Sequence, residues 1–365
     1  MTLSLYIFRR FMTVFLAVFV LLSLLYALLD MIEVVRRYGS ADLGLTQVLT
    51  LTLLRTTDGA YQFLPFMILL ATIAMFLSLS RSSELVVVRG AGRSALRLLL
   101  APIVGALLIG VLAVTTFNPM VAISKAEYER LSHRFLGADQ SVLSVSRDGL
   151  WLRQGSDQEQ TVIRARGAVL DGTVLQQVSF FGYDQSGAPA YRMEAEAAQL
   201  RPGAWHVSNY RYWQLGATDA PSPRPETGQA RRVASTLTPD QIRDGFGTPN
   251  SISLWSLPGF IAQLEQAGFS ARRHIVWFQS ELARPLLFVA STLIGAMLTM
   301  RHNRGGKNGV LVVVTLVLGS AFFFVRNFAL LLGENGQLPV ALAVWAVPVA
   351  AILLALALIL HLEDG

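Results

Sequence analysis

Charged residues cluster at the end of the first apolar segment of this sequence, LLDMIEVVRRYGS. Asp30, Glu33 and Arg37 stand at i, i+3 and i+7, which places them on one helical face, with Arg36 alongside. The planar guanidinium fork of arginine fits phosphate oxygens, so Arg36 and Arg37 are candidates for binding a phosphorylated ligand. An internal Glu33–Arg37 ion pair at i, i+4 explains the same spacing without a ligand. The residues alone leave both interpretations open.

Two further arginines lie near the ends of apolar segments. Arg55 and Asp58 open the second segment, and Arg326 lies in FFFVRNFALLLGENG, about six residues or roughly 9 Å inside the end of the fifth. A charge at that depth costs free energy unless it pairs, snorkels or faces a polar cavity, so Arg326 is predicted to face a functional lumen. The alternatives are snorkelling to headgroups, or pairing with Asp30 or Glu33.

The linker RSSELVVVRGAGRS follows the second apolar segment and predicts a short helix over residues 81–93. A serine caps it, an acid occupies its first turn and glycines end it. An interfacial helix on anionic lipid explains its arginines but not Glu84. Glu84 with Leu85, Val88 and Arg89 suits docking into a basic-rimmed groove of another protein. In a transporter without its own ATP site, that partner would be an ATPase, and the linker is then predicted to be a coupling helix.

The composition places these charges in a membrane protein. Of the 365 residues, 53% are hydrophobic and only 15% are charged, whereas soluble domains carry about 25% charged residues. The net charge of +6 is explained by basic cytoplasmic loops, so nucleic acid is not an expected partner. Cysteine is absent, which excludes a disulfide framework and a thiolate metal site.

Six apolar stretches are long enough to cross a bilayer, which needs about 20 residues each. They are residues 11–32, 58–80, 97–118, 279–300, 309–332 and 339–361. Most loop arginines and lysines fall on one side, including the linker and RHNRGGKNG, so that side and both termini are predicted to be cytoplasmic. The short GENGQLP joins the last two spans into a helical hairpin. Residues 119–278 then lie outside the cytoplasm.

The inserted region begins with a helical pattern, NPMVAISKAEYERLSHRF, and continues as alternating segments such as VLSVS, GLWLRQ, TVIRARG, TVLQQVSFFGY and AWHVSNYRYWQL. Regular spacing and Gly, Asp and Pro turns predict an all-β sandwich or jelly roll. Residues 217–250 are rich in Pro, Gly and polar residues and are interpreted as an extended return. The predicted fold is a membrane α-helical protein, with residues 1–118 and 279–365 in the membrane and a β-jelly-roll domain within 119–278.

The motifs of common enzymes are missing. GAGRS at 90–94 does not meet the GxxxxGK[ST] phosphate-loop pattern, no serine lies in a GxSxG elbow, and the histidines show no HExxH spacing. Nothing in the sequence is predicted to power a reaction, so any active transport would need a partner that supplies the energy, and no cofactor or metal is expected. A membrane enzyme acting on a lipid is the weaker alternative, as is a permease of the FtsX/MacB type, which typically has four spans.

The chain resembles the LptF/LptG family, the membrane subunits of the lipopolysaccharide export ABC transporter. The resemblance is carried by YIFRRFM, LLDMIEVVRRYG, FLPF at 63–66, RSSELVVVRGAGRS at 81–94, DGLWLR, GAWHVSNYRYW and ELARPL at 281–286. It extends over nearly the whole chain, and the 81–94 segment after span two is its most specific element. The acidic end of span one, the basic pair after it and SELVVV are more like LptG than LptF.

The resemblance implies an inner-membrane protein with a periplasmic β-jelly roll. It implies pairing with LptF, two copies of the ATPase LptB, and LptC, whose membrane helix lodges beside span one. Such a complex extracts lipopolysaccharide from the outer leaflet and passes it to the LptA bridge. The candidate lipopolysaccharide-binding residues are then Arg36, Arg37, Arg55 and Arg326, and Glu84 corresponds to the acid that faces LptB.

Two positions depart from the family pattern. Asp58 stands where some members have a lysine at the start of span two, with Arg55 one turn earlier as a possible substitute. Asp30 falls where a further family lysine is found in span one. The resemblance therefore implies phosphate contacts at Arg36 and Arg37, and contacts at the start of span two that differ from those of such members.

Overall fold

The fold is described from a computed structural model of the chain. The structure describes residues 2–38, 44–82, 84, 94–136, 143–146, 149–156, 159–169, 173–184, 187–215, 224–235, 237–238, 242, 249–266, 270–300 and 308–364. Two compact units divide the chain. The helical unit comprises Met1–Leu136, Asn250–Trp255 and Arg272–Gly365, and the second unit comprises Gly137–Pro249 and Ser256–Ala271.

Long apolar helices build the first part of the helical unit. Helix α1 covers Thr2–Arg37, α2 covers Leu45–Arg81 and α3 covers Ala95–Leu112. A π-helical turn, Ala113–Phe117, carries α3 directly into α4, Asn118–Leu136. The helix that carries the predicted third span therefore continues past residue 118 into the amphipathic segment that follows it.

A bent helix pair and a hairpin complete the helical unit. Helix α6 covers Arg272–Leu282 and α7 covers Arg284–Thr299, and the two meet at an angle of 54°. Proline at position 285 lacks the amide hydrogen that would continue the ladder, and its ring crowds the preceding turn, which accounts for the bend. The predicted fourth span thus lies on a bent pair of helices and not on one straight helix. Helix α8, Asn308–Glu334, and α9, Val347–Asp364, follow it.

Among the described residues, five helices are long and apolar enough to cross a membrane, and the bent pair makes a sixth span if it counts as one. This arrangement confirms a multi-pass helical membrane protein. The turn between α8 and α9 uses Gly336 at φ +81°, a conformation that side chains disfavour. Arg272 donates to the carbonyls of Gly333 and Leu338, at 2.6 Å each, and so ties α6 to that turn.

The helical core lies where α2, α3 and α7 meet, around the buried Phe76, Leu99 and Phe288. Helix α1 contributes Phe11 near its start, yet its middle section is largely exposed. Small residues allow helices to approach closely inside a membrane. Gly110 on α3 is such a position, because a Cβ atom there would lie 2.6 Å from the Cα of Pro285.

The second unit holds a seven-stranded antiparallel sheet in sequential order. The strands are β1 Leu143–Ser146, β2 Gly149–Ser156, β3 Glu159–Val169, β4 Val174–Tyr183, β5 Pro189–Arg201, β6 Ala204–Gln214 and β7 Glu226–Ala234. A short helix, α5, covers Leu257–Gln266. Connections of two to five residues join neighbouring strands from β1 to β6, and eleven residues lead from β6 to β7. Connections this short favour the pairing of consecutive strands.

Five adjacent strands, β3 to β7, each leave one residue unpaired at the same row, and the register is the same on both sides of it. The skipped residues are Arg166, Gln177, Glu196, Asn209 and Gln229. Gln177 and Asn209 have φ of 49° and 51°, as bulged residues often do. Because each strand gains one residue at this row, Ala165 and Ala168 both remain buried on the core side.

A buried amide joins strands that are distant in the sheet order. Trp205 Nε1 of β6 donates to Gln154 Oε1 of β2 at 3.1 Å, and Gln154 Nε2 donates to the Ala234 carbonyl of β7 at 2.9 Å. Ser235 Oγ also donates to Gln154 Oε1 at 2.6 Å. The sheet must therefore fold over itself so that β2 faces β6 and β7.

The inserted all-β domain is confirmed, and its connectivity is more local than that of a double Greek-key jelly roll. Two strands differ from the sequence interpretation. Strand β7 lies within the segment that was interpreted as an extended return, where pairing with β6 orders it. Strand β5, rich in helix-forming Ala and Glu, had no predicted counterpart, because pairing on both edges overrides local propensity.

Substitution of Gly110 by alanine tests the close approach of α3 and α7. We expect Gly110→Ala to lower the free energy of unfolding by about 1–3 kcal/mol, because the new methyl group meets backbone rather than a movable side chain. Thermal unfolding in detergent measures this. Gly309→Ala is the control, since a Cβ there meets nothing within 4 Å. Equal melting temperatures for the two variants would contradict the packing described.

Candidate functional site

The charged cluster at the end of α1 is built around a buried ion pair. Arg55 Nε of α2 lies 3.0 Å from Asp30 Oδ1 of α1, and the Asp30 side chain is only 3% exposed. Asp30 Oδ2 and Arg55 Nη1 are also buried and have no hydrogen-bond partner among the described residues. Polar atoms left in this state are expected to meet water or a ligand, so the pair marks a polar site between α1 and α2.

The two basic residues that follow this pair are accessible. Arg36 pairs with Glu33 at 2.6 Å, with 77% of the arginine side chain exposed. The internal pair is therefore i, i+3 with Arg36, and not the Glu33–Arg37 pair suggested by the spacing. Arg37 is exposed and has no ion-pair partner within the described ranges. Exposed pairs of this kind are weak, so both guanidinium groups are available to a ligand.

Packing against α4 fixes the position of this cluster. Val34 and Tyr38 of α1 and Leu51 of α2 are buried together, and Tyr128 of α4 packs against them. The Tyr38 hydroxyl donates to Ser132 Oγ of α4 at 2.6 Å. The ends of α1 and α2 are thus held by a third helix, which keeps the arginines at a defined place.

The other charged residues at the start of α2 belong to a neighbouring group. Gln62 Nε2 donates to Asp58 Oδ2 at 3.0 Å, and Lys125 Nζ of α4 lies 4.0 Å from the same oxygen. Lys125 also donates to Asn250 Oδ1. Asp58 is therefore balanced by a lysine from α4.

Arg326 lies on α8, apart from the acids of α1. Its Nη1 donates to Asn327 Oδ1 at 3.2 Å, and it makes no ion pair among the described residues. Asp30 and Glu33 are paired with Arg55 and Arg36. The alternative in which Arg326 pairs with those two acids is therefore not observed, and its lumen-facing role stays a prediction.

A buried polar network at the bend between α6 and α7 escaped the sequence interpretation. Glu281 is fully buried and forms a bidentate ion pair with Arg284, whose Nε donates to Glu281 Oε2 at 3.0 Å. Tyr61 of α2 donates its hydroxyl to the same carboxylate, and Asn118 Nδ2 of α4 donates at 3.2 Å. The guanidinium also stacks on the Tyr61 ring, 4.0 Å from its centroid. The sequence signal for this network is the ELARPL motif, in which Glu281 and Arg284 stand at i, i+3 and a proline follows the arginine.

Glu84, the predicted coupling acid, contacts the beginning of α1. Tyr6 donates its hydroxyl to Glu84 Oε2 at 2.9 Å, and Arg10 Nη1 donates to Oε1 at 3.2 Å. Ser82 Oγ donates to the same Oε1 at 2.8 Å, while its backbone ends α2. Leu85, Val88 and Arg89, and with them most of the predicted helix 81–93, lie outside the described residues.

Hydrogen bonding holds the Glu84 carboxylate in its charged form. The hydrogen bond from Ser82 is the largest cause that lowers the pKa of Glu84 below its ordinary value, and Tyr6 and Arg10 lower it further. A lowered carboxyl pKa keeps the group ionised at neutral pH. Glu84 therefore presents a negative charge beside the end of α2.

Within the described part of the chain, no three acidic or histidine side chains gather in a way that suits a metal ion.

Comparison with known proteins identifies the family. A family model described as "Lipopolysaccharide export system permease LptF/LptG" matches residues 5–361. The chain belongs to the LptF/LptG family. The family match extends over both the helical unit and the inserted sheet, so the chain is a permease-type membrane protein of the lipopolysaccharide export system.

Relatives of this permease carry the name of one branch of the family. It is 23% identical over 319 residues to the lipopolysaccharide export system permease protein LptG of Escherichia coli K12, which covers 86% of this chain and 85% of that protein. It is 21% identical over 341 residues to the LptG protein of Haemophilus influenzae, covering 89% of each. These alignments span most of both chains at low identity.

Glu281 and Glu33 each pair with an arginine three residues later, one buried and one exposed, so we expect their loss to lower the free energy of unfolding by different amounts. We expect Glu281→Ala to destabilise the permease by about 3–5 kcal/mol, because Arg284 then stays buried without its partner. Replacing both residues, Glu281→Leu with Arg284→Met, should recover much of that loss. Thermal unfolding in detergent measures both variants.

Glu33→Ala is the matched control, since its exposed partner Arg36 remains solvated. We expect that control to change the free energy of unfolding by less than about 1 kcal/mol. A Glu281→Ala variant as stable as the Glu33→Ala variant would show that the network does not hold the helices together.

Proposed function

We propose that this chain is the LptG-type permease subunit of the lipopolysaccharide export transporter. In this role it takes lipopolysaccharide from the outer leaflet of the inner membrane and delivers it to the periplasmic side. The observation that carries the proposal is the cluster at the end of α1, where two exposed arginines, Arg36 and Arg37, adjoin the buried Asp30–Arg55 pair. Membership of the family supports the same role.

The chemistry of the cluster fits the phosphorylated head of a glycolipid. Arg36 and Arg37 offer guanidinium forks, which bind phosphate oxygens with charge-assisted hydrogen bonds. Arg55 is already paired with Asp30, which partly neutralises it. Arg36 and Arg37 therefore make the main phosphate contacts. Arg55 makes a secondary contact through Nη1, the nitrogen that has no partner among the described residues. Arg326 faces the lumen on the path of the lipid.

The proposed orientation follows the distribution of basic residues. Both termini and the linker around Glu84 lie in the cytoplasm, and the inserted β domain lies in the periplasm, where it hands the lipid onward. The partners are LptF as the second permease, a dimer of the ATPase LptB, and LptC. ATP hydrolysis occurs on LptB, since the present sequence has no phosphate-loop motif. Glu84 and the residues Leu85, Val88 and Arg89 dock that ATPase.

Loss of the two exposed arginines should weaken lipid binding. We expect the double variant Arg36→Ala/Arg37→Ala to retain at least about tenfold less lipopolysaccharide on purification, because charge-assisted contacts are worth about 1.5–3 kcal/mol each. Quantification of co-purified lipid A by mass spectrometry measures this. Asp30→Asn should instead increase the amount of retained lipopolysaccharide, because it releases Arg55 to bind phosphate.

Arg130→Ala is the matched control for the arginine variant. Arg130 is exposed and pairs with Glu127 at i, i+3, as Arg36 does with Glu33. Equal lipid retention by the control and the double variant would refute a specific phosphate site. Enrichment of ordinary phospholipid in place of lipopolysaccharide in the purified complex would favour the rival reading, a permease for another lipid.

Charge reversal at Glu84 tests the coupling role. We expect Glu84→Arg to reduce co-purification of LptB and ATP-driven release of lipopolysaccharide from vesicles together, because it places like charge against a basic groove. Glu84→Ala should have a smaller effect in the same direction. The permease pair should still assemble. If the Glu84→Arg variant still co-purifies with LptB and still releases lipopolysaccharide, the ATPase contact lies elsewhere in the chain.

A further inference from the structure

Arg10 of α1 makes contacts on both sides of the α2 terminus. Its Nη1 reaches Glu84 Oε1 at 3.2 Å, and its Nη2 donates to Ser78 Oγ on the last turns of α2 at 2.7 Å. Its guanidinium also hydrogen-bonds the Tyr6 hydroxyl. Tyr6 in turn donates to the other oxygen of Glu84. We call these four residues, Tyr6, Arg10, Ser78 and Glu84, the Arg10 cluster.

The Arg10 cluster is only partly exposed, which distinguishes it from an ordinary surface ion pair. The side chains of Arg10 and Glu84 are 27% and 33% exposed, against 77% for Arg36 in its own pair. Both carboxylate oxygens of Glu84 accept hydrogen bonds from α1. An acid held at both oxygens has a fixed direction, so a force on the linker is passed to the helix that holds it.

Helix α1 can carry such a displacement to the other end of the helical unit. It is an unbroken helix from Thr2 to Arg37, about 54 Å long at 1.5 Å per residue. Ile7, Phe11 and Phe15 bury its first third, and Val34 and Tyr38 bury its end. Between these anchors its outward residues are mostly exposed. An unbroken helix that is anchored at both ends is a rigid element that can couple the groups at its two ends.

We propose that Arg10 and Tyr6 are positioning residues for Glu84, which fasten the cytoplasmic linker to α1 and pass its displacement to the charged cluster at the far end of that helix. This inference rests on the proposed function, in which Glu84 meets the ATPase. A displacement of the linker by the ATPase can then reach the membrane helices by two routes. One is α2, from which the linker emerges. The other is α1, which holds Glu84 and also carries Asp30, Arg36 and Arg37.

The test separates ATP hydrolysis from lipid release in the assembled transporter, with purified lipopolysaccharide in vesicles as the probe. We expect Arg10→Ala to keep the ATPase bound and its hydrolysis rate within about twofold, while lipopolysaccharide released per ATP falls roughly three- to tenfold. Tyr6→Phe removes one hydroxyl and retains the ring, so a fall of about twofold is expected. Arg10→Lys should recover part of the loss, because one ammonium cannot span Glu84 and Ser78 as the fork does.

Arg9→Ala is the matched control, since it removes the same charge one position earlier, outside the Arg10 cluster. Its release per ATP should equal that of the unmodified protein. Normal release per ATP in both Arg10→Ala and Tyr6→Phe would overturn the inference. Loss of the ATPase from the Arg10→Ala complex would also overturn it, because Arg10 would then act in docking.

Two outcomes keep this inference separate from the proposed function. A transporter that releases no lipopolysaccharide even without substitution would refute the function itself. Impaired Glu84→Ala beside normal Arg10→Ala and Tyr6→Phe would refute only the role of α1. If Arg10→Ala does not fold, Tyr6→Phe decides between the same alternatives.

Discussion

The ion pair between Glu281 and Arg284 is the constraint on which the helical unit depends. A charge pair in this position is tolerated only if its remaining donors and acceptors are satisfied. Tyr61 and Asn118 supply them, and Asn118 Oδ1 accepts the Leu254 amide at 2.9 Å in its turn. The bend at Pro285, the π-turn that ends at Asn118 and the path of α2 all have to agree for this set of bonds to form.

Polar groups near the bend differ from those at the two ends of α1 in how fully they are buried and hydrogen-bonded. Near the bend, burial and complete hydrogen bonding leave little room for movement. At the end of α1, by contrast, Asp30 and Arg55 retain buried atoms without partners among the described residues. At its beginning, the Arg10 and Glu84 side chains of the Arg10 cluster are about one third exposed to solvent. Rigid packing in the centre thus separates two polar sites that are suited to exchange partners.

The sequence predicted those features that follow from composition and local pattern. The multi-pass helical arrangement, the inserted β domain, the final hairpin and the position of Arg36 and Arg37 at the end of α1 are of this kind. Contacts between distant segments were beyond it. The pairing of Asp30 with Arg55 and of Glu84 with Arg10 depends on how α1 crosses α2, which no spacing encodes. Strand β5 was missed because its Ala- and Glu-rich sequence favours helix until neighbours pair with it.

The amide of Gln154 also sets the order in which the β domain can be completed. Its partner carbonyl on β7 lies 80 residues later in the chain, so the two layers cannot close until β7 has been synthesised. At 5–20 residues per second that delay is about 4–16 s. During this time the hairpins from β1 to β6 can form, because their contacts are local. The bond from Gln154 to β7 is therefore the last of these contacts to form, after the strands on either side of it have paired with their neighbours.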